Sequence, residues 1–484
     1  MYKYLKEWAI PRQKQVVIIG GGLSGISAAC YMARSGWQVT LLEKNSTLGG
    51  RIQYRYRDGF KFNLGPTMYL MPEVFEEFFK DFGIDINDKL KFQEVHPYFR
   101  VFGIGAVYDL SDTSNTKSLL EQDQKGSGRQ FKKMMNRSRQ QYANLRLHYF
   151  NSSWSGLFDI DSLSEIMNIK SIKIGDKFNN FINRYIVNSD IKSFYNYIAG
   201  VFDDRPEKMA GIMHALPYIL TGQQLNSLKG GMDKLTISLT ELAQSLGVYI
   251  SVNSEVTKIE SKFKQVTGVK LKNGSKIDCD AVIAGVDYAY AETRMLDPGD
   301  MSYSANYWSS KHYGPSLLIV TTALNQKLSK LKVHNFFTSS NSEDRSFYVY
   351  ASSRIDSSDA PSGYDNLVIQ VRLNADEGEN ISKLNLIKQR IYDRISKECE
   401  KDMGQLLIFD EMRAESYFED TFHATRGSCY GISPRIKQIG PFGPKIKSKV
   451  VEGLFYTGQD TIAGSSMALA LNSGKLSAYL LLGK

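Results

Sequence analysis

Three glycines and one carboxylate near the start of the chain have a spacing that suits phosphate and ribose binding. Gly20, Gly22 and Gly25 follow the apolar residues 16–19, and Glu43 stands 23 residues after Gly20. Such glycines allow a tight turn, let the backbone approach a pyrophosphate at a helix N-terminus, and let that helix pack on its strand. The glutamate can accept hydrogen bonds from a ribose and would repel the 2′-phosphate of NADP. These residues predict a dinucleotide without that phosphate.

A strand, a turn, a helix and a second strand must hold these residues. Residues 16–19 fit a buried parallel strand, and apolar residues 28, 29, 32 and 33 recur at helical spacing. Gly36 is placed to end the helix, and residues 39–42 form the next apolar run. Because strand, turn, helix, strand and acid follow in this order, the pattern predicts a dinucleotide-binding unit of the Rossmann type.

A second glycine pair favours FAD over NAD. Gly49 and Gly50 precede Arg51, and a glycine turn with a cation can hold the far side of a longer, flavin-bearing pyrophosphate. Asp460 follows a late strand and turn and suits a ribityl chain, and the helix predicted after it directs its positive end toward the flavin. The residues expected to bind FAD are Gly20, Gly22, Leu23, Ser24, Gly25, Glu43, Lys44, Gly50, Arg51, Gly458, Asp460 and Met467.

Composition and charge limit the other function classes. The chain has 484 residues, which favours two or three interlocked domains, and a formal net charge of +9. Its four cysteines lie far apart, so we expect neither disulfides nor a bound metal, and a cytoplasmic location. No apolar run approaches the length of a transmembrane helix. The basic charge suits an anionic membrane surface, and no motif indicates nucleic-acid binding.

The predicted fold is α/β. A Rossmann-type, glutathione-reductase-like FAD-binding domain is interleaved with a mixed α+β substrate domain and a helical membrane-associated subregion, because helical periodicity dominates about residues 72–218. The predicted domains are a basic leader over residues 1–15, FAD-binding parts over 16–90, 226–287 and 426–484, a helical substrate or membrane-associated region over 91–225, and a substrate domain over 288–425.

Further motifs resemble those of a known family. The chain is similar to the phytoene desaturases, which are flavin-dependent carotenoid desaturases among the amine-oxidase-like flavoproteins. The similar stretches are residues 41–44, 48–51, 59–67, 69–72, 230–232, 334–337, 427–431 and 453–474. The chain departs from the family at Asn63, where an aspartate is usual, at Val333, at residues 224–229 and at residues 462–467.

The resemblance implies FAD-dependent desaturation of a hydrophobic polyene, either phytoene or a related C30 or C40 compound. It implies hydride transfer to the flavin N5, proton loss from the adjacent carbon, and reoxidation by a membrane quinone or oxygen. Alignment of a long apolar substrate then matters more than acid-base side chains. The candidate catalytic residues are His334 and Tyr430, and further candidate channel aromatics are Tyr69, Phe75, Phe336 and Phe337.

Cys429 has two interpretations. The run Gly427-Ser428-Cys429-Tyr430 is similar to the Gly-Gly-Cys-Tyr run in which monoamine oxidases attach FAD covalently. Free cysteines, however, are mostly packed as small, unreactive hydrophobes. The sequence favours the unreactive thiol and leaves a covalent flavin as the alternative.

Residues 125–147 hold seven Lys or Arg residues and no acidic residue. Phe131, Met134, Met135, Tyr142 and Leu145 recur among them at roughly helical spacing. This pattern is expected for a helix that lies on an anionic membrane, and a solvated basic face on a protein helix is the alternative. We expect peripheral membrane association, which would let a polyene enter without crossing water.

Other functions share this scaffold. A polyene isomerase, a saturase or a terminal-methyl oxidase is the main alternative, because the residues that depart from the family lie near the flavin and the substrate. A non-catalytic module of the GDP-dissociation-inhibitor type, which binds prenylated proteins, is a second alternative. Retention of Gly50, Arg51, Gly458 and Asp460 disfavours it, because such a module needs no flavin contacts.

Overall fold

The computed structural model describes residues 12–152, 175–339, 345–374, 377–461 and 464–484, so most of the predicted leader lies outside the described residues. The strands are β1 (Gln15–Ile19), β2 (Gln38–Leu42), β3 (Tyr54–Arg57), β4 (Phe60–Asn63), β5 (Phe92–Glu94), β6 (Phe99–Phe102), β7 (Val107–Leu110), β8 (Asn226–Leu228), β9 (Tyr249–Ser251), β10 (Val256–Lys262), β11 (Gln265–Leu271), β12 (Lys276–Asp278), β13 (Ala281–Ala284), β14 (Leu317–Leu324), β15 (His334–Phe337), β16 (Phe347–Tyr350), β17 (Asp365–Arg372), β18 (Leu407–Arg413) and β19 (Leu454–Tyr456). The helices are α1 (Leu23–Arg34), α2 (Pro72–Asp81), α3 (Ile86–Lys89), α4 (Thr113–Asp123), α5 (Ser127–His148), α6 (Phe178–Tyr185), α7 (Ser189–Gly200), α8 (Leu216–Thr221), α9 (Asp233–Ser245), α10 (Tyr288–Tyr290), α11 (Ala305–Ser309), α12 (Ile381–Cys399), α13 (Met403–Leu406), α14 (Glu415–Phe422) and α15 (Met467–Leu481).

A five-stranded parallel sheet in the order β19-β13-β1-β2-β9 positions the site. Its central strand β1 is apolar and buried from residue 16 onward, as expected for a parallel strand covered on both faces. The sheet draws strands from three separate stretches of the chain. All five strands run in one direction, so the turns after them meet at one edge. The mixed α/β fold predicted from the sequence is confirmed, while the domain boundaries stay a prediction.

A three-stranded antiparallel sheet, β10-β11-β12, is inserted in the sequence between β9 and β13, two strands of the parallel sheet. The turn between β11 and β12 contains Asn273, whose Oδ1 accepts a hydrogen bond from Ser275 N at 3.0 Å. Gly274 has a φ of +89°, a left-handed backbone that favours glycine. Local turn chemistry therefore forms this hairpin.

A seven-stranded mixed sheet, in the order β18-β14-β17-β16-β15-β6-β7, forms the second large layer. Two of its strands come from residues 91–225, the region that was predicted to be mainly helical, so the sequence did not predict these two strands. In β6 and β7, Phe99, Val101, Tyr108 and Leu110 are buried, and Arg100 between the first two is half-buried. Alternation with a period of two indicates a strand, and the helical periodicity of the surrounding sequence hid this short pattern.

Helix α1 packs closely against the closing helix α15. Gly474 makes this possible, because a Cβ added there would lie 2.2 Å from Ser24 O and 2.8 Å from Ala28 N. On its other side, α1 lies on the turn after β1, where a Cβ at Gly25 would lie 2.0 Å from Gly20 O. Glycines therefore set the distances between strand, helix and closing helix.

The apolar stripe of the basic helix α5 packs inside the protein. Phe131, Met134, Met135, Tyr142 and Leu145 are all buried in the core. The expectation that this stripe faces a membrane is wrong, because helical periodicity alone does not distinguish a protein core from a lipid surface. Five basic side chains of the helix are exposed: Arg129, Lys132, Lys133, Arg137 and Arg139. Among the described residues, no helix is long and apolar enough to cross a membrane.

Replacing Gly474 with alanine should lower the free energy of unfolding by about 1–3 kcal/mol, because the new methyl group would overpack the contact between α1 and α15. Urea unfolding measures the change. Gly105→Ala is the matched control, since a Cβ there meets no heavy atom within 4 Å. Equal midpoints for the two variants would contradict this account of the helix contact.

Candidate active site

A long cavity opens at the carboxyl ends of the parallel strands and encloses about 2300 Å³ of empty space, part of it open to solvent. Four segments line it, each following one strand: Gly20, Gly22 and the start of α1 after β1, residues 43–45 after β2, residues 285–287 after β13 and residues 458–460 after β19. Ligands of open parallel sheets bind outside the carboxyl ends of the strands. From there the cavity continues to the seven-stranded sheet.

The two glycine turns lie against each other at one end of this cavity. Gly49 N donates a hydrogen bond to Gly21 O at 2.8 Å. A Cβ at Gly50 would lie 3.0 Å from the Cα of Gly22. Gly20 has a φ of +99° and faces Gly285 O, so neither position has room for a side chain. This contact places both predicted phosphate-binding turns on one wall.

Glu43 is buried at the end of β2, where its carboxylate is held in place from two sides. Its Oε2 accepts a hydrogen bond from Gly21 N at 2.7 Å, and its Oε1 accepts bonds from Asn45 N at 2.8 Å and Asn45 Nδ2 at 2.9 Å. The carboxylate lines the cavity beside the glycine turn. This is the position that the dinucleotide fingerprint assigns to the ribose.

Arg51 lines the cavity directly after the second glycine turn, and its buried Nε has no hydrogen-bond partner among the described residues. With the amide of Gln459 oriented so that its oxygen accepts, that oxygen lies 2.9 Å from Arg51 Nη2 and 3.0 Å from Gly431 N. The guanidinium also lies 5.4 Å from the ring centre of Phe422. Arg51 therefore places a cation with an unused buried donor in the cavity wall, where it can pair with an anionic ligand.

Asp460 and Asp287 come from the turns after β19 and β13 and lie near each other. Asp460 accepts a hydrogen bond from Ile432 N at 2.9 Å, and Asp287 accepts one from Thr425 Oγ1 at 2.6 Å. Burial, followed by the charge of Asp287, raises the pKa of Asp460 to about 7. Asp287 was missed in the sequence. Its position just after a buried parallel strand was the available signal.

The structure places the other predicted cofactor residues as follows. Leu23, Ser24, Lys44, Gly458 and Met467 line the cavity. Burial lowers the pKa of Lys44, whose Nζ donates to a backbone oxygen of helix α14. Gly25 does not line the cavity, and its lack of a side chain serves the packing of α1 on the turn. Direct FAD contact by Gly25 is therefore not supported.

The far end of the cavity is largely apolar. Ile319, Gln370, Tyr348 and Phe336 are lateral neighbours on β14, β17, β16 and β15, and all four line the cavity. We call these four residues the cross-strand row. The opposite side is formed by Tyr197, Ile198, Val201, Phe202, Leu216 and Leu220. The row was missed in the sequence, because it depends on the register of four strands.

The two candidate catalytic residues differ in position. Tyr430 lines the cavity. His334 lies behind Tyr348 and does not line the cavity. His334 Nδ1 is 2.6 Å from Tyr348 OH, which is 2.7 Å from Thr67 Oγ1. Burial lowers the pKa of His334 to about 3 and raises that of Tyr348 well above its usual value. His334 therefore stays neutral and positions Tyr348, so a direct catalytic contact of His334 is not supported.

Of the other aromatic candidates, only Phe336 lines the cavity. Tyr69 and Phe75 pack on each other in the core, with ring centres 4.8 Å apart, and Phe337 stacks on Phe102 at 4.4 Å on the opposite face of the sheet. The prediction that these three line a channel is wrong. Adjacent strand residues point to opposite faces, so Phe336 and Phe337 cannot share one cavity.

Asn63 explains one departure from the desaturase motifs. Its Nδ2 donates to Pro66 O at 2.8 Å, and its Oδ1 accepts from Gly65 N at 2.9 Å. An ionised aspartate would lose the first bond, because it has no donor. The amide therefore closes the turn that carries Thr67 into the cavity.

The residues present fit FAD. Helix α1 begins at the cavity without a side-chain cap, so its first N–H groups can bind a phosphate. A Cβ at Gly22 would come within 4 Å of only one atom, Gly50 Cα at 3.7 Å, so the position is open enough for a ligand to approach the backbone. Arg51 supplies a buried donor beside it. Fold and site together define a flavoprotein oxidoreductase that uses FAD.

The chain belongs to the family of flavin containing amine oxidoreductases, which matches residues 23–482. A carotenoid 3,4-desaturase of Haloarcula japonica is 27% identical over 97% of this chain and 98% of its own length. A 4,4′-diapolycopene oxygenase of Methylomonas is 26% identical over 96% and 97%, and a zeta-carotene-forming phytoene desaturase of Myxococcus xanthus is 28% identical over 96% and 93%. The resemblance to the phytoene desaturases is confirmed.

Solved structures share the fold. Putrescine oxidase bound to putrescine aligns with a TM-score of 0.68 and 16% identity, covering 98% of this chain and 99% of that one. This likeness supports the FAD-binding fold and says nothing about the substrate.

Cys429 is half-buried in the cavity wall, and burial raises the pKa of its thiol to about 11, with the charge of Arg51 lowering it only in part. Because the thiol stays protonated at neutral pH, we expect no bond to FAD. Acid precipitation of the holoprotein should release all of the yellow colour into the supernatant. Cys429→Ala should behave identically. Colour that stays in the pellet of the native protein alone would contradict this prediction.

Proposed function

We propose that this protein desaturates phytoene or a related C30 or C40 polyene. The observation that carries the proposal is a single cavity with a dinucleotide end at Glu43 and Arg51 and a long apolar end at the cross-strand row. Hydrocarbon polyenes carry no group for a polar pocket to recognise, so shape and apolar contact must hold them. The desaturase relatives support the same substrate class.

FAD, when bound, supplies the hydride acceptor that no side chain can provide. As the new C=C bond forms, the adjacent carbon loses a proton, which passes to water at the part of the cavity that is open to solvent. The apolar wall excludes water and aligns the chain. Phe336 and Tyr348 present aromatic groups to the cavity, and such faces stabilise positive charge that develops on a polyene. His334 stays neutral behind them, because burial lowers its pKa to about 3.

Oxidation of a terminal methyl group is the second candidate. A 4,4′-diapolycopene oxygenase is almost as similar to this chain as the desaturases are. The name of this relative describes an oxygenase that acts on a polyene, and its sequence identity to this chain is close to that of the desaturases. No relative described above carries the name of an isomerase or a saturase, so those alternatives have less support.

Expression in cells that accumulate phytoene or its C30 analogue tests the proposal. We expect new pigments with longer chromophores, resolved by chromatography and mass. Oxygenated products would favour the second candidate, and unchanged precursors in the presence of soluble, FAD-loaded protein would contradict both.

Ile319→Trp should reduce pigment formation at least tenfold while the purified protein keeps its FAD, because the indole would fill the apolar end. Ile408→Trp is the matched control, since Ile408 is 45% exposed on the same sheet. Equal pigment from both variants would show that the cross-strand row does not hold the substrate.

We also propose that the exposed basic face of α5 brings the protein to an anionic membrane, where the polyene and a quinone acceptor reside. Lys133 and Arg137 share a surface groove with Arg184 of α6. The apolar stripe of α5 is buried, so the attraction is electrostatic and adds no lipid insertion by this stripe. Oxygen is the alternative acceptor.

Vesicles of phosphatidylglycerol and phosphatidylcholine should co-sediment the protein at low salt and release it at high salt, because salt screens exposed charges. Reversing Lys132, Lys133 and Arg137 to glutamate should weaken the binding at least tenfold. The control reverses three exposed cations of α12, Lys383, Arg390 and Lys397. Binding that is unaffected by salt and by both triple variants would rule out the basic face.

A further inference from the structure

Helix α14 covers one side of the cavity and separates it from solvent. Tyr417, Phe418 and Phe422 line the cavity from this helix. Ser416 and Glu419, on the same helix, are exposed to solvent. Helix α14 has one face exposed to solvent and one face that lines the cavity, so it covers the cavity on this side. The contacts that hold the helix in place then determine how easily the cavity opens.

Two residues that directly follow Glu43 bind the last carbonyls of this helix. Lys44 Nζ donates to Asp420 O at 2.5 Å, and Asn45 Nδ2 donates to Thr421 O at 3.2 Å. Cations and donors at a helix C-terminus satisfy carbonyls that have no partner within the helix and match its negative end. The contact of Asn45 is partly buried, so water competes with it less than at the surface, whereas the contact of Lys44 is exposed.

The same residues connect the cover to the nucleotide end of the cavity. Asn45 also donates twice to Glu43 Oε1, at 2.8 and 2.9 Å, and Glu43 Oε2 accepts from Gly21 N at 2.7 Å. A continuous series of hydrogen bonds therefore runs from the glycine turn through Glu43 and Asn45 to α14. The residue expected to bind the ribose is two positions from the residue that holds the cover.

The residue after the helix adds a second attachment. The ring of His423 stacks on Tyr290 with centres 4.0 Å apart and planes 4° apart. Its Nε2 lies 3.4 Å from Glu255 Oε1 and 3.3 Å from Lys44 Nζ. Tyr290, Glu255 and Lys44 all line the cavity beside Glu43. The C-terminal end of the cover is thus joined to three different parts of the FAD-binding site.

We propose that helix α14 with His423 is a clasp that closes over the ADP half of bound FAD, and that Lys44 and Asn45 hold the clasp in place. Lys44 therefore retains the cofactor by anchoring the clasp and does not need to contact a phosphate. FAD cannot leave past this side unless the clasp moves. The proposal concerns the cofactor alone and is independent of the proposed substrate.

The rate of FAD release tests the clasp. Purified holoprotein is diluted, and the gain in flavin fluorescence is followed over time without any polyene. Lys44→Met combined with Asn45→Ala should release FAD about tenfold faster than the native protein. Lys44→Arg, which keeps a donor for Asp420 O, should release it at nearly the native rate. Lys276→Met is the matched control, because Lys276 pairs with Glu260 at the surface, where the Lys276 side chain is 57% exposed.

Hydrogen exchange gives a second readout. Amides of residues 415–423 should exchange faster in the double variant than in the native holoprotein, while those of α1 stay unchanged. Asn45→Ala alone, the milder change, should show the same direction if the double variant does not fold. Release rates and exchange equal to those of Lys276→Met would overturn the clasp.

Discussion

The rest of the structure depends on the close approach of three backbone segments: helix α1, the turn at Gly20 and helix α15. Helix α1 lies on the carbonyl of Gly20 at one side and against α15 at the other, with glycines at both contacts. Because these distances allow no side chain, the N-termini of α1 and α15 are fixed relative to each other at the sheet edge. The two ends of the FAD site therefore share one rigid support, and α14 is attached from outside it.

Local sequence could predict which residues lie together at the expected nucleotide end of the site. The turn at Gly20 lies within one strand-turn-helix-strand unit, Glu43 directly follows that unit, and Arg51 comes shortly after it, so spacing along the chain largely determines spacing in space. Asp460 was also predictable, since it follows a short apolar strand and a glycine. In each case a backbone rule links residue type to position.

The apolar end could not be predicted in the same way. Ile319 and Phe336 are close in sequence, but Gln370 joins them only through the pairing of β17 with β14 and β16. Pairing register is a property of the whole sheet, and a shift of one residue would turn every side chain to the other face. Phe337 was misplaced because adjacent strand residues point to opposite faces. Lys44 was predicted to bind FAD, and its contact with Asp420 O, which is 376 residues away, could not be predicted from local sequence.

The cross-strand row also has a fixed spacing. Neighbouring strands lie about 4.8 Å apart, so backbone hydrogen bonds set the distances between Phe336, Tyr348, Gln370 and Ile319. The side chains of the cross-strand row can therefore be substituted one at a time without changing the spacing between their positions. Substituting one of these side chains changes the shape of the cavity at one position and leaves the FAD-binding end unchanged. A scaffold with this property can acquire new polyene specificities by single steps while its redox chemistry stays constant.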